Sequence, residues 1–153
     1  MADEIQYRRI ASGDLPALVG VFEQIVECGL NQTFHPHPFD EETARMVATN
    51  AGADRYYLLS RRETALAYGM LRGWNEGFAV PSLGICVLPQ AQKQGLGEKF
   101  MRFLHEEAAA CGATRIRLKV AKTNLRAFNL YLRMGYLFGE ETDDSLVGYL
   151  DLN

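Results

Sequence analysis

The chain of 153 residues is 48% hydrophobic and 23% charged, the length and balance of one ordinary globular domain spanning residues 1–153. A chain this long buries roughly 70% of the surface its unfolded form exposes, which argues against a disordered, collagen-like or disulfide-scaffold protein. There are 16 basic and 19 acidic residues, a net charge of −3. The general basic surface that nucleic-acid binding needs is therefore missing, although a local basic patch can still serve a small anion.

Cys28, Cys86 and Cys111 form no CxxC pair, and each lies in or beside an apolar run where a thiol behaves as a small hydrophobe. No apolar run reaches the ~18 residues of a membrane span. Met1-Ala2-Asp3-Glu4 lacks the basic start and apolar core of a signal peptide. The expectation is a cytoplasmic domain with no membrane or nucleic-acid partner.

In chain order, Ile5 to Ile10 reads as a strand, and Ser12-Gly13-Asp14 supplies turn and cap chemistry. Leu15, Leu18, Val19, Phe22, Ile25 and Val26 then recur at helical spacing, with Gly29 as the stop. Pro36 and Pro38 make Asn31 to Phe39 an extended loop. Asp40 caps a short second helix whose first turn carries Glu41 and Glu42. Tyr56–Ser60 and Ala65–Leu71 form a hairpin around residues 61–64, and the turn Gly73–Pro81 leads into a buried strand, Leu83–Leu88. A long helix places Phe100, Phe103, Leu104, Ala108 and Cys111 on one face before Gly112. Ile116–Val120 alternates as a strand, Asn124–Met134 is a helix ended by Gly135, and strands follow near Tyr136–Phe138 and Leu146–Leu152. The order β-α-α-β-β-β-α-β-α-β-β describes a mixed α/β (α+β) sheet domain.

The chemistry is concentrated in Gln92-Lys93-Gln94-Gly95-Leu96-Gly97, which joins the buried strand to the long helix. A helix N-terminus offers unpaired N–H groups and a partial positive charge, so two glycines there leave the backbone bare for a phosphate. Gly97-Glu98-Lys99-Phe100 lacks the Gly-Lys-Ser/Thr of a Walker loop, and Phe100 stands where a dinucleotide fingerprint needs a third glycine or alanine. A glycine-rich turn without a ligand is the plain alternative.

Together with Asn124, Tyr131 and Gly135-Tyr136 downstream, this stretch resembles the GCN5-related N-acetyltransferase (GNAT) superfamily. The resemblance is specific over Leu83 to Phe138 and weaker, in element order alone, before it. It implies a central sheet splayed between its fourth and fifth strands, with helices on both faces. It further implies acetyl-coenzyme A as co-substrate, its pyrophosphate on Gln92–Gly97 and its pantetheine arm along Ile85, Cys86 and Val87, with Asn124 bonding that arm or capping its own helix. Tyr131 is then the acid that gives the leaving thiolate a proton; its plain alternative is packing beside Phe128 and Leu130.

The activity implied is acetyl transfer to a primary amine of a small polar acceptor, of aminosugar or amino-acid type, by direct attack. Cys86 is disfavoured as a nucleophile because its strand is apolar and no histidine stands near it in sequence. The expected fourth strand carries no carboxylate, so the base is open among Glu76, His35 and His37. That gap keeps an inactive coenzyme A-binding module as the alternative. In the family the loops matched by Asn31 to Phe39 and Trp74 to Phe78 wall the acceptor site, so the resemblance implies an aromatic wall of Phe34, Trp74 and Phe78 with polar contacts from His35, His37, Asn75 and Glu76. No metal is expected, since His35-Pro36-His37 supplies two ligands at most. Members of the family often pair through sheet edges, which implies a homodimer as one arrangement, with Leu146–Leu152 as candidate edge.

Overall fold

The computed structural model describes residues 4–152; Met1–Asp3 and Asn153 lie outside them. Seven strands form one sheet, in the spatial order β1-β2-β3-β4-β5-β7-β6. They are β1 (Ile5–Arg9), β2 (Arg55–Arg61), β3 (Thr64–Arg72), β4 (Ser82–Val87), β5 (Arg115–Ala121), β6 (Leu137–Glu141) and β7 (Ser145–Asp151). Four helices connect them: α1 (Leu15–Glu27), α2 (Glu41–Ala48), α3 (Leu96–Ala110) and α4 (Leu125–Arg133). The expected element order is observed throughout. Only β4 and β5 run parallel; every other neighbouring pair is antiparallel.

The alternation of strand side chains divides the core into two layers. Tyr57, Leu59, Ile116, Leu118 and Val120 join Phe100, Met101 and Leu104 of α3 on one face. Leu58, Tyr68, Met70, Cys86 and Leu88 join Leu18, Phe22 and Ile25 of α1 and Ala44 and Val47 of α2 on the other. A central strand buried on both faces must be apolar at successive positions, and Leu66 to Leu71 of β3 satisfies this. Asp40 caps α2 as expected, its carboxylate accepting the Thr43 N–H at 2.8 Å.

Two expectations are corrected. The Leu146–Leu152 segment is not an edge, because β7 inserts between β5 and β6; the edges are β1 and β6. The β6 edge is broken by a register shift between Phe138 and Glu140 and carries Glu140 and Glu141, both of which discourage further pairing. The cysteines also differ among themselves: Cys86 is buried, whereas Cys28 and Cys111 are exposed at the C-caps of α1 and α3.

His105 of α3 lies with Nε2 2.8 Å from the Tyr136 hydroxyl, and burial pushes its pKa down to about 4. A depressed folded value means that this contribution to stability is complete above the unfolded pKa near 6.5 and is lost as pH falls toward 4. The thermal midpoint is expected to fall by a few degrees between pH 6.5 and 4.5, and less in His105→Gln. Identical slopes in thermal denaturation of the two proteins across that window would contradict this.

Candidate active site

Strands β4 and β5 are paired only at Ser82↔Arg117 and Leu83↔Leu118, and they separate beyond Leu83. The Leu88 N–H donates to the Leu66 carbonyl at 2.9 Å, toward β3. Antiparallel alternation then turns the N–H groups of Gly84 and Cys86 toward β3 and those of Ile85 and Val87 into the gap. Gln92 answers part of this exposed edge, its side-chain amide donating to the Val87 carbonyl at 3.0 Å. The N–H groups of Ile85 and Val87 have no strand partner on β5.

The gap opens into a cleft of about 580 Å³. Ile85, Cys86 and Val87 line it together with Gln92, Lys93, Gly95, Leu96, Gly97, Asn124 and Tyr131. Gly95 is the N-cap of α3 at φ +76°, a left-handed conformation that L side chains adopt at a cost of roughly 1–2 kcal/mol. Lys93 is also left-handed, at φ +66°. The first backbone bond of the α3 ladder runs from the Lys99 N–H to the Gly95 carbonyl, so the preceding helical N–H groups face outward. Gly97 has room for a methyl group, 3.6 Å from Leu130 and 3.9 Å from Val87, so the protein's own packing does not demand glycine there. Gln94 does not line the cleft; its side chain accepts from Arg61 and donates to the Gln90 carbonyl. The cations Lys93, Arg126 and Arg133 do line it.

Tyr131 comes from the buried face of α4 and is 8% exposed. Its hydroxyl has no hydrogen-bond partner among the described residues, and burial, with the Cys86 sulfur nearby, raises its pKa well above 10. The phenol therefore keeps its proton at any physiological pH. Burial likewise pushes the Cys86 thiol up to about 12, which removes the thiolate that covalent catalysis would require. Asn124 caps α4, its side chain accepting the Ala127 N–H at 3.2 Å.

A second cleft of about 350 Å³ adjoins the first, and Thr33 and Phe34 line both. His35, Asp54, Arg72, Glu76, Arg117 and Lys119 are its ionisable residues. Gly84 stands near the junction: a Cβ there would come within 3.0 Å of Met70 and 3.3 Å of Phe34. The Asp54 carboxylate is committed to the loop that follows β3, accepting the N–H groups of Gly73 and Asn75 at 3.0 and 3.1 Å.

Phe34, His35 and Glu76 thus reach this lining, whereas His37 and Trp74 do not. His37 donates from Nδ1 to the Pro38 carbonyl and sits with Nε2 2.8 Å from the Tyr68 hydroxyl, among Phe22 and Phe39. Burial holds its pKa below the ordinary histidine range. Trp74 packs against the core beneath α3. Arg72, Arg117 and Lys119 were not anticipated. The available signal was the cationic pair at i and i+2 of a strand whose alternate residues are apolar, which puts both cations on one face.

No helix among the described residues is long and apolar enough to cross a membrane, and no group of three or more His, Cys, Asp or Glu residues among them could hold a metal ion. Among curated protein sequences, none matches the chain. Solved structures match closely in fold. An acetyltransferase of the GNAT family from Streptococcus pneumoniae superposes with a TM-score of 0.80 at 16% identity, over 98% of this chain and 100% of that one. A putative acetyltransferase from Salmonella typhimurium, solved with its cofactor acetyl-CoA, gives 0.77 at 17% identity, over 97% and 94%. The ribosomal-protein-S18-alanine N-acetyltransferase from Escherichia coli gives 0.74 at 21% identity, again over 97% and 94%. The family model described as "Acetyltransferase (GNAT) family" matches residues 21–136, and the chain belongs to that family.

Proposed function

We propose that this protein transfers an acetyl group from acetyl-coenzyme A to the primary amine of a small acceptor. The observation that carries this reading is the unpaired edge of β4 opening onto the bare N-terminus of α3, with the Tyr131 phenol on the same cleft. The residues fit such a co-substrate. A pantetheine amide carbonyl can bond one of the two free N–H groups of Ile85 and Val87 as an added strand would, leaving the other for the acyl group. The N-terminus of α3 with Lys93, Arg126 and Arg133 suits the phosphates. When bound, acetyl-coenzyme A supplies an acetyl group activated as a thioester and departs as a thiol.

The protein's own contributions follow from this placement. An N–H of Ile85 or Val87 aimed into the gap stabilises negative charge on the acyl oxygen. Tyr131 holds a proton that it can deliver to the sulfur. Phe34 and Gly84 mark where the acceptor cleft meets the donor cleft, so the amine enters from the side of His35 and Glu76. His35 or Glu76 takes the proton that the amine releases. Similar folds act on different acceptors: one is the ribosomal-protein-S18-alanine N-acetyltransferase and another a spermidine N-acetyltransferase from Vibrio cholerae. The acceptor must therefore be found from this chain's own cleft.

The experiment is thiol release from acetyl-coenzyme A in the presence of a panel of amines, with mass spectrometry of the products. Amine-dependent release with an N-acetylated product supports the proposal. A folded protein that binds acetyl-coenzyme A and acetylates no amine would contradict it.

A further inference from the structure

Three cations line the acceptor cleft against two carboxylates, Asp54 and Glu76. Arg72 closes β3, and Arg117 and Lys119 lie on one face of β5; all three line the 350 Å³ cleft. Arg72 donates through Nη1 to the Pro36 carbonyl at 2.8 Å, and Arg117 through Nη1 to the Ser82 hydroxyl at 3.2 Å. Both bonds use neutral oxygens and leave other guanidinium N–H groups for a ligand. None of the three cations forms an ion pair among the described residues, although Arg8, Arg45, Arg102, Arg115 and Lys122 all do.

Two carboxylates against three cations leave the lining with one positive charge in excess. Asp54 is buried, and its Oδ1 accepts two backbone N–H groups of the loop after β3. Glu76 is exposed at the rim, and Asp144, near Lys119, is held by Thr142 and Ser145. His35 adds no negative charge. Three unpaired cations facing a concave surface would repel one another unless an anion came between them, and a guanidinium fork matches carboxylate and phosphate geometry. The chain is acidic overall, so this concentration of positive charge is local.

We propose that the acceptor is an amine that also carries an anionic group, a carboxylate or a phosphate, which Arg72, Arg117 and Lys119 hold while the amino group points toward the junction at Phe34 and Gly84. This rests on the acetyltransferase reading for the amine and on the cation cluster alone for the anion. A polyamine would bring its own positive charges against the same three groups, so the proposal excludes that acceptor class.

Two measurements separate the claims. Acetyl transfer is compared across matched pairs: an amino acid with its amide, glucosamine 6-phosphate with glucosamine, and spermidine by itself. The anionic member of at least one pair should exceed its neutral counterpart in kcat/KM by about tenfold or more, the effect of one charge-assisted bond. Arg117→Gln should abolish that preference while leaving acetyl-coenzyme A affinity within about twofold, and Arg117→Lys should restore part of it. The carboxylate and phosphate pairs identify which anion is used.

Separately, nitrogen-15 spectra of the protein alone are recorded with inorganic phosphate and with glutarate. Arginine side-chain resonances should shift with at least one anion, and the shift should be lost in Arg117→Gln with the fold checked by circular dichroism. Absence of any shift, or spermidine and neutral amines acetylated as well as anionic ones, overturns the proposal. Anion binding in a protein that does not bind acetyl-coenzyme A would instead overturn the acetyltransferase reading and leave the anion site standing.

Discussion

Tyr131→Phe is expected to lower kcat by about 10²–10⁴-fold, the usual worth of a positioned acid, while acetyl-coenzyme A affinity stays unchanged. The substitution removes one oxygen and little else. The hydroxyl has no partner among the described residues, so no buried group is orphaned and the fold should be retained. The ring keeps its contact with Tyr136 at 5.9 Å. Because the pKa of Tyr131 is raised above 10, the wild-type rate should not fall on the alkaline side until the pH exceeds 10. Steady-state kinetics of both proteins between pH 6 and 10 check this. Equal rates would reduce Tyr131 to a packing residue.

Gly95→Asp is expected to weaken acetyl-coenzyme A binding by about 100-fold or more. A carboxylate at the N-terminus of α3 would stand where the phosphates are proposed to lie, and like charges ~4 Å apart near a protein surface oppose each other by several kcal/mol. The same carboxylate favours the helix itself through the macrodipole, and no atom lies within 4 Å of the new Cβ position. Loss of binding would therefore not be loss of fold. Gly95→Asn is the matched control: it has the same shape, tolerates the left-handed conformation about as well, and brings no charge. Its affinity should fall by less than about tenfold. Asp and Asn variants that bind equally well would remove the phosphate from this position.

The sequence made local features legible because they rest on local physics. Alternation in Ile116–Val120, the apolar run Leu83–Leu88 and the caps Asp40 and Asn124 each report what a few neighbouring residues must do. The insertion of β7 between β5 and β6 was not readable in this way. Strand order depends on pairing between segments far apart, and Leu146–Leu152 reads the same at an edge or in the interior. The direction of single side chains was hidden for a similar reason. His37 lies between two prolines and reads as exposed loop, yet the Tyr68 hydroxyl and the rings of Phe22 and Phe39 draw it inward. Trp74 follows a left-handed Gly73 that turns it toward the core beneath α3, so of the three expected aromatic residues only Phe34 and Phe78 line the second cleft, with Arg72 beside them.

The separation of β4 from β5 was expected only through family resemblance. Nothing in Gly84 to Val87 states that its outward edge lacks a partner, because a buried apolar strand has the same composition when paired on both sides. The cations of the second cleft were visible as letters and invisible as a cluster, since Arg72 and Arg117 come to flank Ser82 in register only once β3, β4 and β5 are laid side by side.

The central claim is that the cleft between β4 and β5 is a site for acetyl-coenzyme A, and calorimetric titration of that compound into the purified protein tests it most directly. Micromolar, one-to-one binding is the predicted result. A folded protein that shows no heat of binding and no competition by coenzyme A would contradict the account at its root.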